Sequence, residues 1–221
     1  MGSGSSVQRS GKGDRSSSKA TTGSGGQNNL ATAQQQQSGV PQLDKQLPFA
    51  NYREWYNFKN FWKTVQRNKD NCAKLMFFKY LEQNPDLLQA YAKLRNMEMN
   101  EETAFNNSDF EHLANQYLDV FDEAITTIES NPGDVSSVVE ELQNVGKRHR
   151  RISCIEASSF AVTTTVSKDW LSVAILQKLQ EGFMEMARQV LQDRFTEKCE
   201  NSFGKFFDFV AKNLQQGFNA S

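Results

Sequence analysis

From Phe49 to Phe218 the apolar residues recur at three- and four-residue intervals almost without a break. That period is the signature of helices burying one face, and it restricts the folded part of the chain to an all-α class. Trp55, Phe58, Phe61/Trp62 and Val65 mark a first helix. Asp70 and Asn71 can start a second, carrying Leu75, Phe78 and Tyr80/Leu81. Asn84-Pro85 stops it, because the residue before proline is pushed out of the helical region, and Pro85 then opens a short helix through Leu87, Leu88 and Tyr91. Ser108, with Glu111 three residues on, reads as a capped start for a longer helix with Phe110, Leu113, Tyr117, Phe121, Ile125 and Ile128 on one stripe. Pro132-Gly133 ends that helix, and Asp134 can cap the next. Two further helices follow, one through Phe183, Met186, Ala187, Val190 and Leu191, the other from Thr196 through Phe203, Phe206/Phe207, Val210 and Leu214.

The N-terminal segment has the opposite character. Residues 1–47 contain no aromatic residue and are dominated by Gly, Ser, Thr, Asn and Gln. Such a stretch cannot bury enough apolar surface to offset the entropy of ordering, so it reads as a disordered tail, with order beginning near Phe49. Its first six residues, Met1-Gly-Ser-Gly-Ser-Ser6, fit the pattern for N-myristoylation of Gly2. Arg9, Lys12, Arg15 and Lys19, opposed only by Asp14, form a sparse basic segment behind it. One acyl chain anchors marginally, so together these features imply a reversible peripheral membrane contact. A Ser/Gly-rich linker explains the same residues equally well, and intact mass after eukaryotic expression separates the two.

Composition narrows the setting. A net charge of −1 gives no electrostatic basis for binding nucleic acid. The three cysteines, Cys72, Cys154 and Cys199, are widely spaced and odd in number, which fits reduced thiols in the cytoplasm better than disulfides or a zinc site. No apolar run is long enough to span a bilayer. No phosphate loop, nucleophile elbow or zincin motif occurs, and the carboxylates fall on polar helix faces, so enzymatic acid–base or nucleophilic chemistry has no support.

One constellation remains. Val138, Leu142, Val145 and His149 fall on one helical face at spacings of four, three and four, followed by Arg150 and Arg151. The chain has two histidines, His112 and His149, on successive helices joined by a short loop. An imidazole entering an apolar space between two neighbouring helices is how helical proteins hold haem, although a core histidine satisfies the stripe as well.

Here the sequence resembles the globin family over roughly Phe49 to Phe218. Asp134-Val-Ser-Ser-Val-Val-Glu-Glu-Leu-Gln-Asn-Val-Gly-Lys-Arg-His149 is similar to the family's helix ending in L-x-x-x-G-x-x-H. Phe58 to Trp62 resembles the first-helix pattern, Asn84-Pro85-Asp86 the proline of the short third helix, and Phe203 to Val210 the last helix. The resemblance implies a 3-over-3 helical sandwich spanning 48–218, haem b as cofactor, and His149 as the proximal iron ligand. Tyr91 stands where the family has a phenylalanine against the haem. Leu142 and Val145 are implied on the proximal side, and Phe110, Leu113 and Tyr117 on the distal side. Two registers are open at the distal position: the apolar stripe puts Leu113 there, while a shift of one residue puts His112 on the iron and brings Gln116 inward. After Phe160, residues 161–176 interrupt what would otherwise be a continuous family-like helix and read as an insertion. The implied activity is reversible binding of oxygen or another diatomic gas, in sensing or in one-electron redox with a transfer partner rather than bulk storage. A globin-fold adaptor without haem, tethered by its N-terminus, is the alternative.

Overall fold

The computed structural model describes residues 42–156 and 173–220, all but a few short connections of them helical. Helix α1 spans Tyr52–Arg67 and α2 Lys69–Glu82, followed by a 3-10 helix Pro85–Ala90, a one-turn helix α3 Glu101–Phe105, α4 Ser108–Ser130, α5 Ser136–Glu156, α6 Val173–Leu191 and α7 Glu197–Asn219. They form two crossed layers of three long helices, α1, α4 and α5 over α2, α6 and α7. The main contacts run between α5 and α7, α2 and α6, and α2 and α4.

Local chemistry explains the helix starts. Asn51 caps α1, its side chain accepting from Glu54 N at 3.0 Å, while Glu54 reaches back to Ala50 N at 2.8 Å. Thr196 caps α7 through Cys199 N. The cap of α4 is Asn107, one residue ahead of the expected Ser108, with its side chain accepting from Phe110 N at 3.0 Å. Both residue types cap well, so sequence alone does not choose between them. Helix α2 begins at Lys69, almost continuous with α1, and α3 follows a cap at Asn100 that the apolar pattern gave no reason to expect.

Packing begins earlier than aromatic density suggests. Leu47 is buried and Leu43 packs against the core. Asp44 ties this strap to the start of α5: its backbone N–H donates to Pro132 O at 2.8 Å, and its carboxylate accepts from Val135 N at 3.0 Å. Gly2 and the basic residues behind it lie outside the described residues.

The far end of the suspected insertion is part of the fold. Val173–Leu176 form the first turn of α6, and Leu176 is buried. Its residues 161–172 lie outside the described residues. Helix α5 also runs past His149 to Glu156, so His149 sits within the helix rather than at its end. The core is largely aromatic: Phe58, Trp62, Phe183, Phe203 and Phe207 are all essentially fully buried.

Candidate functional site

Helix α5 is held against α7 more tightly than any other pair, because both present glycine at the crossing. A Cβ on Gly146 would lie 2.1 Å from Leu214 O, and one on Gly217 1.9 Å from Gln143 O. This seats α5 down onto α7, while its contact with α4 stays sparse. The space where the candidate residues meet is therefore between α4 and α5.

His149 is half-buried on the α4-facing side of α5, one turn beyond Val145. Its Nδ1 lies 2.9 Å from Val145 O. A carbonyl oxygen can only accept, so this bond places the ring proton on Nδ1 and leaves the Nε2 lone pair free. A backbone carbonyl holding one imidazole nitrogen in this way fixes tautomer and ring orientation for a metal on the other. Leu142 is buried beside it and Val145 half-buried.

Across the space, α4 turns Phe110, Ala114, Leu118 and Phe121 into the core. Leu113 and Tyr117 flank that stripe, packed against the core yet half-buried, so part of each side chain stays open. His112 is exposed, as is Gln116. The register that would turn His112 inward is thus not the one adopted: Ala114 and Leu118 set the inward phase, and His112 falls outside it. A narrow cleft of about 20 Å³ between the helices is lined by Val120, Ala124, Val138, Leu142 and Val145, with Glu123 and Glu141 at its rim. The cleft as it stands is too small for a porphyrin.

The α4 side carries unusual chemistry. The Tyr91 and Tyr117 hydroxyls lie 2.6 Å apart. The Phe77 ring touches Tyr91 edge-on at 5.4 Å between centroids, and meets Tyr117 at 5.0 Å and Phe110 at 5.1 Å. Burial pushes the Tyr91 and Tyr117 phenols above their usual range, so both are neutral donor–acceptor groups at physiological pH.

Phe77 does not stand out in the apolar stripes, and Tyr80 enters them only beside Leu81. The signal was available in another form: α2 reads Leu75-Met-Phe-Phe-Lys-Tyr-Leu81, apolar nearly all round, and a helix like that is buried on more than one side. Lys147 and Arg148 are exposed on α5 just before His149. Among the described residues no cluster of three or more His, Cys, Asp or Glu offers a multidentate metal site. A single imidazole plus an apolar cleft is the donor set of a planar metal macrocycle, not of a bare ion.

No protein-family model matches the chain. Among solved structures it is similar to a hexacoordinated haem protein from an anhydrobiotic tardigrade, with a TM-score of 0.64 at 19% identity, covering 80% of this chain and 99% of that one. With two crossed layers of three helices and near-complete coverage of that structure, the chain has the globin fold.

Proposed function

We propose that the chain binds haem b between α4 and α5, with His149 Nε2 as the proximal iron ligand, and that it reversibly binds oxygen or another diatomic gas on the α4 side. The observation that carries this reading is the His149 Nδ1–Val145 O bond, which in the neutral ring leaves Nε2 as the nitrogen with a lone pair to donate. Leu142 and Val145 would hold one face of the macrocycle, and Phe110, Leu113, Tyr117 and Tyr91 the other. Bound haem supplies a redox-active iron with one position for an exogenous ligand. The globin fold, shared with a protein described as a haem protein, supports the same reading.

That tardigrade protein is described as hexacoordinated. Here His112 is exposed, so among the described residues α4 would offer haem no imidazole and would leave the position opposite His149 to an exogenous ligand. We assign the chain to ligand sensing or one-electron exchange with a transfer partner in the cytoplasm rather than to catalysis or storage, with Gly2 myristoylation supplying a reversible membrane contact. Among the described residues no helix is long and apolar enough to cross a membrane.

Haemin titration of the purified full-length chain tests this. The expected result is a Soret band, a ferrous spectrum with one broad visible band, and a sharp carbonyl complex. In His149→Gly the chromophore is expected to be lost or strongly altered, with added imidazole restoring it. An unchanged spectrum in His149→Gly sinks the assignment. A haem-free adaptor is favoured by one observation, the Tyr91 and Tyr117 hydroxyls already satisfying each other, and the absence of any Soret band from folded protein would establish it.

A further inference from the structure

Helix α5, which carries His149, starts beside a residue that cannot cap it. That residue is Val135, fully buried and with no acceptor in its side chain. Asp134 accepts from Ser136 N at 3.0 Å, but the Val135 N–H is served from 91 residues away, by Asp44 Oδ2 at 3.0 Å. A buried N–H that loses its acceptor is costly, so this bond holds the strap and the helix start together.

The strap is built to keep that carboxylate in place. Asp44 Oδ1 accepts from Gln46 N at 2.8 Å, Asp44 O accepts from Leu47 N at 3.1 Å, and Asp44 N donates to Pro132 O at 2.8 Å. A Cβ on Gly133 would lie 3.3 Å from Gln42 O, so the strap lies directly on the turn before α5. Its other end is sunk in the core. Leu47 and Phe49 are buried, and the Phe49 ring meets Phe58 of α1 at 5.3 Å and Phe206 of α7 at 6.5 Å between centroids. The strap therefore joins the start of α5 to the packing of α1 on α7.

The second restraint on α5 is its close crossing with α7 at Gly146. From Ser136 to Gly146 the helix runs about 15 Å, and from Gly146 to His149 about 4.5 Å. A swing of the helix start about that crossing thus reaches His149 reversed and at about a third of its size, whereas a turn of α5 about its own axis reaches it in full.

We propose that Asp44 is a positioning residue for His149: it latches the start of α5 to the core and so sets where the imidazole stands and how long haem is held. This rests on the haem reading above.

The test uses the full-length chain with Asp44→Ala, Asp44→Asn and Asn51→Ala, the last removing the cap of α1 instead. In haem-free protein, Asp44→Ala is expected to speed amide exchange in the first turns of α5 about tenfold, and Asn51→Ala to leave it unchanged. Asp44→Asn keeps one accepting oxygen and is expected to lie between, at about threefold. In haem-loaded protein, Asp44→Ala is expected to shift and broaden the iron–histidine band of the ferrous resonance Raman spectrum and to speed haem release about tenfold. Asn51→Ala, a loss of the same kind at another helix, should leave that band where it is. An unmoved band and unmoved haem release in Asp44→Ala overturn the proposal, and so does α5 exchange that responds equally to Asn51→Ala. A parent chain that takes up no haem overturns the haem reading instead, and the latch on α5 is then judged by exchange alone, unmoved exchange in Asp44→Ala overturning it.

Discussion

At the scale of single residues, the busiest polar atoms outside the site belong to Asp122. Its Oδ1 accepts from Trp62 Nε1 and Gln66 Nε2, each at 2.8 Å, and its Oδ2 from Lys69 Nζ at 2.8 Å, while Lys69 also reaches Asp119 at 2.7 Å. Burial alone would raise the carboxyl's pKa, but the donors from Lys69, Trp62 and Gln66 outweigh it and hold the group below the usual range. The Trp62 indole is essentially fully buried, so removing its acceptor strands an N–H in the core. Asp122→Ala is expected to cost about 2 kcal/mol in urea unfolding, and Trp62→Phe/Asp122→Ala together less than the sum of the single changes. The sign with pH follows from the depressed pKa: this contribution is complete above the carboxyl's ordinary value of 3.8 and fades as pH falls through the lower folded value. Additive single-mutant costs would remove the coupling. The same scale shows what sequence reading can reach. His149 was legible because it continues an apolar stripe, but its bond to Val145 O was not. The Tyr91–Tyr117 hydroxyl contact and the Tyr80–Tyr117 ring contact join positions far apart in the chain and exist only once α2, α4 and the 3-10 helix have packed together.

At the scale of elements, legibility tracked amphipathicity. Helices α1 and α7 bury one face, and the residues expected on it, Trp55, Phe58, Val65, Phe203, Phe206 and Val210, are the ones buried. Helix α2 buries Cys72, Ala73, Met76, Phe77, Phe78, Tyr80 and Leu81 on several sides, so no single stripe described it. On α4 Phe110, Phe121, Ile125 and Ile128 of the expected stripe are buried, but between them Ala114 and Leu118 take the inward positions and leave Leu113 and Tyr117 half-buried. The α5–α7 crossing yields a sharper expectation. Gly146 is three residues from His149 on the same helix, so forcing α5 off α7 moves the imidazole with it. Gly146→Ala and Gly217→Ala each set a methyl against backbone, which cannot give way as a flexible side chain would. Both are expected to destabilise the fold by at least about 2 kcal/mol and to weaken haem retention. Gly204 lies on the same α7, and a methyl added there would meet nothing within 4 Å, so Gly204→Ala is expected to stabilise by about 0.5–1 kcal/mol through helix propensity alone. Equal effects of Gly204→Ala and Gly217→Ala on thermal unfolding would refute the close-crossing argument.

At the scale of the whole molecule, the all-α class and the order of long helices were written in the period of the apolar residues, whereas the edges of the domain were not. The strap through Leu43, Asp44 and Leu47 has no aromatic residue, and what fixes it is one carboxylate on the start of α5. A core this dry also fixes how stability depends on alkali. Cys72 and Cys199 are buried thiols, pushed by burial from 9.0 up to about 11 and about 12. Burial likewise raises Tyr80, Tyr91 and Tyr117 above 10.0. In every case the folded pKa lies above the unfolded one, so the fold keeps protons that the unfolded chain releases. The contribution of these groups is therefore full below pH 9, begins to fall there as unfolded thiols ionise, and falls more steeply above pH 10 when unfolded phenols join them. The urea midpoint measured from pH 7 to pH 11 should trace that two-stage decline. In Cys72→Ala/Cys199→Ala the first stage is expected to shrink, because these two buried thiols no longer withhold protons that the unfolded chain releases. A midpoint that stays level through pH 11 would mean that these groups reach solvent in the folded state, and the sealed aromatic core on which the site is built would be wrong.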